Sequence, residues 1–251
     1  MSTCHRILPL PSLLLCSLYL ASVPACSADA TLNDLPPAVF SSAEPVALDT
    51  VFKQPRLSAH VMVWNYLTAL DHADTGCPSM TETAGGVVLR GNGCTANGGL
   101  IYDGQMTYSE RLRPDESVAE VEMVFRDFHH QDADGEQART HDGRISITFE
   151  EDGARIYETD LRLTVHGYES ESQHTIACTA AGVCTVLPGA WAAVVGVGRF
   201  DISGAFDKDL DYGTIQMVGA ETLDIEYESI SLEYQIDGSQ AERAYTPWWD
   251  I

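Results

Sequence analysis

Apolar and polar residues alternate through much of the chain. Ala119, Val121, Met123 and Phe125 fall on one side of an extended segment, opposite Glu120, Glu122 and Arg126. Ile145, Ile147 and Phe149 oppose Ser146, Thr148 and Glu150, and Leu161, Leu163 and Val165 oppose Arg162, Thr164 and His166. Further on, Leu223, Ile225 and Tyr227 oppose Asp224, Glu226 and Glu228. Ile230, Leu232, Tyr234 and Ile236 oppose Ser231, Glu233, Gln235 and Asp237. A period of two with one apolar face marks antiparallel strands wetted on one side. The parity slips between Tyr227 and Ile230, which predicts a bulge or bend near Ser229. Asp134-Gly135, Asp152-Gly153 and Asp237-Gly238 punctuate the segments as turns, with no helical spacer between them. Hairpin after hairpin predicts an all-β fold, a multi-stranded antiparallel meander of about ten strands. To bury its apolar face it must curl into a half-open barrel or split into a sandwich.

Upstream the period changes. Leu57, Val61, Trp64 and either Leu67 or Tyr66 recur at helical steps, and Leu70 continues the stripe. Ser58 caps the start and Thr75-Gly76 with Pro78 ends it, so one N-terminal helix is predicted over Ser58–His72, lying against one face or end of the sheet. Val87-Val88-Leu89 and Leu100-Ile101-Tyr102 flank Gly91-Asn92-Gly93 and Asn97-Gly98-Gly99, the residues of tight hairpins. The stretch 189–206 is the most apolar of the mature chain. Its Gly196-Val197-Gly198 lacks both a third glycine at Asp201 and a following helix signal, so it reads as a central strand pair with close backbone approach rather than a dinucleotide loop.

Residues 1–25 contain no acid, carry His5 and Arg6 near the start, and run through Leu13-Leu14-Leu15 and Leu18-Tyr19-Leu20 to small residues. That is a secretory signal, too short in its apolar core to span a bilayer. Its exit, Val23-Pro24-Ala25-Cys26, resembles the lipobox of bacterial lipoproteins. The resemblance implies a lipid on Cys26 and, with Ser27 following, an outer-membrane destination. Val23-Pro24-Ala25 also suits ordinary cleavage after Ala25, which would leave the protein periplasmic or secreted. Prolines and small residues then predict a linker over 26–57 and a single β-rich domain over 58–251.

The chain has seven cysteines. Cys4 and Cys16 leave with the signal and Cys26 takes the lipid, so Cys77, Cys94, Cys178 and Cys184 remain, an even set for an oxidising compartment. Four cysteines allow three connectivities; the local pairs, Cys77 with Cys94 and Cys178 with Cys184, are the natural ones. Neither pair has the two-residue spacing of a zinc knuckle. Cys77-Pro78 at one end and Gly93-Cys94 at the other resemble a disulfide-bridged hairpin of uncharacterised secreted bacterial β-proteins, a likeness that implies no activity.

The formal net charge of −23, with Lys53 and Lys208 the only lysines, excludes nucleic-acid binding, which needs clustered cations. It directs the domain toward cations, basic proteins or neutral surfaces, and makes the lipid the membrane contact. His129 and His130, with Asp132, Asp134 and His141, form the densest set of possible ligands. Across a hairpin turning at Asp134-Gly135, His129 and His141 would be neighbours, a set for zinc or, through the carboxylates, calcium. Asp224, Glu226 and Glu228 on one strand and Glu233 and Asp237 on the next could pair for glycoside hydrolysis, but their alternation is that of a wet sheet face. Trp248-Trp249 is either an aromatic platform or a pin for the tail. No nucleophile elbow, phosphate loop or His-Glu-x-x-His occurs. The expectation is therefore a lipid-anchored, non-enzymatic envelope or surface module that needs no cofactor. The competing class is a metal-dependent hydrolase centred on His129, His130 and His141.

Overall fold

The structure, a computed structural model, describes residues 32–54, 69, 71–131, 139–165, 168–207, 212–228 and 231–245. Among them, fifteen strands join in one antiparallel sheet. The first half holds β1 (Ser79–Thr83), β2 (Gly86–Arg90), β3 (Cys94–Thr95), β4 (Ile101–Leu112), β5 (Val118–Gln131), β6 (Arg139–Phe149) and β7 (Arg155–Val165). The second holds β8 (Tyr168–Cys178), β9 (Val183–Val186), β10 (Trp191–Val194), β11 (Gly198–Asp207), β12 (Tyr212–Val218), β13 (Thr222–Glu228), β14 (Ser231–Ile236) and β15 (Glu242–Tyr245). Sequence order is nearly spatial order, as a meander requires: β3 pairs with β4, while β9 and β10 share the lane between β8 and β11. The predicted all-β class and strand faces hold. The strand number exceeds the expected ten because segments such as β1, exposed along its whole length, carry no alternation to read.

The apolar side chains of one face, called inner below, gather into two clusters. Leu89, Met106, Met123, Phe125, Phe128, Ile145, Leu161 and Leu163 fill the first half of the sheet, with Ala69 and Ala73 packed against them. Ala69 falls within the helix predicted over Ser58–His72 and Ala73 one residue past it, and 69 and 71–73 are helical; residues 58–68 and 70 of that prediction lie outside the described residues. Ile176, Val194, Phe200, Ile202, Ile215, Met217, Leu223 and Ile225 form the second cluster. Between the clusters, the middle inner positions of β8 are small or polar: Ser170, Ser172 and His174 are all buried there.

The linker expected over 26–57 is corrected over Leu32–Gln54. Ala38, Phe40, Ala47, Val51 and Phe52 are core residues of the second cluster. A single turn of 3-10 helix, Leu32–Asp34, starts on the outer face, where the Leu32 N–H donates to Glu171 Oε2 at 3.2 Å. The chain then bridges β11 in parallel at Pro37 and Arg199. Arg199 donates to Pro36 O and Ala38 donates to Arg199 O, both at 2.8 Å. Gly198 makes this approach possible, since a Cβ there would sit 2.5 Å from Pro36 O. On the far side of Ala38, the Ala220 N–H of the β12–β13 turn donates to Ala38 O. The strap thus enters the inner core, where Phe40 meets the Phe200 ring edge-on and α1 (Pro45–Lys53) buries Ala47, Val51 and Phe52. Tyr227 donates its hydroxyl to Phe52 O at 2.8 Å, tying the helix end to β13. Proline at the first helical position suits α1, but nine residues among prolines are too few to show a periodic stripe in the sequence.

Both local disulfides form, Cys77–Cys94 across a separation of 17 residues and Cys178–Cys184 across 6. They point to an oxidising, extracytoplasmic environment. Among the described residues, no helix is long and apolar enough to cross a membrane. The apolar stretch 189–206 does supply a strand pair, β10 with β11, and close backbone approach at Gly198. The bend expected near Ser229, the turn at Asp134-Gly135 and the Trp248-Trp249 pair lie outside the described residues.

Candidate functional site

The histidines on β5 and β6 are placed by a bulge. Strand β5 keeps Ala119, Val121, Met123 and Phe125 on the inner face until its register against β6 jumps between Phe125 and Phe128. Asp127 takes a φ of 47°, in the left-handed region, and opposite it the register with β4 shifts across Gly104, φ 70°. Only glycine fits there, because a Cβ on Gly104 would lie 2.0 Å from Asp127 O. Arg126 and Asp127 together oppose Asp142 alone, so one extra residue is absorbed, and Phe128 and His130 then resume the inner face.

The consequence corrects the expected ligand set. His129 lies opposite Thr140 and His141 opposite Phe128, so His129 is on one face while His130 and His141 are on the other. His129 Nδ1 sits 2.9 Å from Thr140 Oγ1 and its Nε2 3.2 Å from Gln131 Oε1. His130 and His141 are buried and stacked, ring centroids 5.6 Å apart and planes 13° from parallel. Asp132 and Asp134 lie outside the described residues.

Around the stacked pair is a sealed aromatic cluster. Tyr102 pairs with His130 across β4 and β5, and its hydroxyl oxygen is 2.7 Å from His72 Nδ1, beside the end of the predicted helix. Phe125 packs on His141 at 5.5 Å and Phe128 on Tyr102 at 6.0 Å. Arg139 is buried opposite His130. Burial, reinforced by Arg139 and then His129, holds the His130 imidazole down at about 4. Burial, reinforced by His130, holds His141 down at about 3. Burial alone lifts the Tyr102 phenol to about 12. At neutral pH these are uncharged rings that pack. Imidazole lone pairs lie in the ring plane, and two nearly parallel planes do not aim them at one point. Among the described residues, no three His, Cys, Asp or Glu side chains are grouped to hold a metal ion.

The outer face carries the open chemistry. Asp224, Glu226 and Glu228 are exposed along β13, as the alternation predicts, and Glu233 is half-buried on β14. With Thr214, Gln216 and Gln235, three of them line a concavity of about 490 Å³. Gln216 donates to Asp224 Oδ1 at 2.8 Å, and Arg243 binds Glu228 and Glu233, each at 2.9 Å. Asp237 is spent in its turn, accepting from the Thr222 N–H.

A second concavity, of about 330 Å³, lies over β6, β7 and β8 beneath the Pro188–Ala190 loop. The register sets Arg144 beside Asp160, Asp160 beside Gln173, and Gln173 beside Trp191 in one lateral row. Trp191 donates its indole N–H to Gln173 Oε1 at 3.1 Å, and Arg199 covers its ring at 5.2 Å from the centroid. Neither Arg144 nor Asp160 is engaged in an ion pair among the described residues. Sequence reasoning passed over this row because its members are far apart in the chain; only the β6–β7–β8–β10 register brings them together. The chain matches no protein-family model, no curated protein and no solved structure.

Proposed function

We propose that this chain is a lipid-anchored envelope protein, a non-enzymatic binding or structural module whose working surface is the outer face of the sheet. The observation that carries the reading is the cysteine pairing. With Cys77, Cys94, Cys178 and Cys184 consumed in two disulfides, Cys26 is the one cysteine beyond the leader left for a lipid. The lipobox-like Val23-Pro24-Ala25-Cys26 and the oxidising compartment implied by the disulfides agree with it. A module role is supported by the division of side chains between the faces. His130 and His141 are neutral, stacked and sealed on the inner face, whereas the polar groups that a partner can reach lie on the outer face.

The test is metabolic labelling with an alkyne-bearing fatty acid in a bacterial host, followed by membrane fractionation. The wild-type protein should carry the label and sediment with membranes, and Cys26→Ser should be unlabelled and soluble. A wild-type chain that is unlabelled and soluble overturns the anchor.

A further inference from the structure

We propose that the outer-face row Arg144, Asp160, Gln173 and Trp191 binds a neutral oligosaccharide, under the Pro188–Ala190 loop. This deepens the reading of the protein as a binding module by naming the class of its ligand. The row crosses four neighbouring strand lanes, so its ends stand about 14 Å apart at ordinary strand spacing. Arg144, Asp160 and Gln173 line a cleft of about 330 Å³, within the size range of small-molecule sites, and Trp191 stands beside Gln173 as the next member of the row.

Sugar hydroxyls both donate and accept, and they are best met by donors and acceptors in alternation. Here Arg144 supplies guanidinium donors, and Asp160 and, one step along β7, Glu158 supply acceptors. Gln173 has its carbonyl oxygen committed to the Trp191 indole N–H, which turns its amide NH2 into the group available to a ligand. Trp191 is half-buried and doubly fixed, by that bond and by Arg199, which Asp201 holds in turn at 3.9 Å. A rigid indole gives the apolar surface that the C–H face of a sugar ring needs, at little cost in side-chain entropy. Every member stands on a strand in the middle of the sheet rather than on a loop, so the row is preorganised. The overall charge of −23 repels polyanionic glycans and leaves neutral ones.

The experiment is isothermal titration of the purified protein with cellotriose, maltotriose and chitotriose, each to about 10 mM, where even a millimolar Kd is measurable. Wild type is compared with Trp191→Ala, Asp160→Asn and, as a remote control on β1, Glu82→Gln. At least one trisaccharide should bind, each of the first two substitutions should weaken it by about tenfold or more, and Glu82→Gln should leave it unchanged. Circular dichroism checks folding; if Trp191→Ala unfolds, the isosteric Asp160→Asn decides. No binding of any trisaccharide, or binding indifferent to both substitutions, overturns the proposal. The titration does not depend on the lipid, so a failed glycan site and a failed anchor are read in separate experiments.

Discussion

Acid should loosen this protein well above the range in which its carboxylates titrate. His130, His141 and His174 are buried on the inner face, with imidazoles held down at about 4, about 3 and about 4 against an ordinary 6.5. For His174 the cause is burial alone. A group whose folded value is depressed lets the unfolded chain bind more protons between the two values. Stability is then fully present above pH 6.5 and falls as the pH drops from there toward the folded values. Between about pH 7.5 and 5.5 each such imidazole costs about 1.4 kcal/mol, and three together cost about 4 kcal/mol, a large part of the stability of an ordinary domain. The carboxyls of Asp115 and Glu221, held low by hydrogen bonds from Ser117 and Ser41, have ordinary values of 3.8 and 4.5 and act mainly below this window. Urea melts at the two pH values give the difference directly. His141→Gln and His174→Gln should each remove about a third of the pH-dependent loss, whatever they do to stability at neutral pH. Equal stability at both pH values, or a slope untouched by both substitutions, would refute the account of these rings as neutral packing groups.

Three further outcomes follow from the fold. Replacing Cys77 and Cys94 by serine should cost about 3 kcal/mol and replacing Cys178 and Cys184 about 2 kcal/mol, because the longer loop constrains the unfolded chain more; urea midpoints rank them. Gly104→Ala puts a methyl group 2.0 Å from Asp127 O at a φ of 70°, and should destabilise by about 2 kcal/mol or more, seen as a fall of several degrees in Tm. Phe40→Ala empties a fully buried site against Phe200 and should cost about 3–5 kcal/mol, whereas a true linker residue would cost nothing measurable by the same melt.

The strands were legible because each buries one face, so the alternation of Ala119–Phe125 or Leu223–Tyr227 is written directly by the core. The disulfides were legible from compartment and parity of number. The fate of the histidines was not. Nothing within Phe125–His130 announces a bulge; its cause sits in the partner strand, where Gly104 alone tolerates the approach of Asp127 O. One absorbed residue separates His129 from His130 and His141 in a way that counting along the chain cannot foresee. The strap was hidden for a different reason. Its prolines mark a spacer by composition, yet Ala38, Phe40 and α1 are held by contacts with residues 199 and 219–234 that are distant in sequence. The outer row of Arg144, Asp160, Gln173 and Trp191 is likewise a product of register, invisible until four strands are set side by side.

The small and polar run Ser170, Ser172 and His174 on the inner side of β8 has a further meaning. To hydrogen bonds the sheet is one object, but to apolar side chains it is two, and cooperative unfolding follows packing more than ladder bonds. The chain therefore has a fault line at β8, along which one half can come apart while the other survives. The native edges are short, five residues in β1 and four in β15, and charged at Glu82, Glu242 and Arg243, as edges that avoid self-association are. A half-unfolded molecule would instead bare β7 or β8, each eleven residues long, as a new border. The aggregation hazard of this protein thus lies at its centre, guarded by nothing but the continued presence of the neighbouring half.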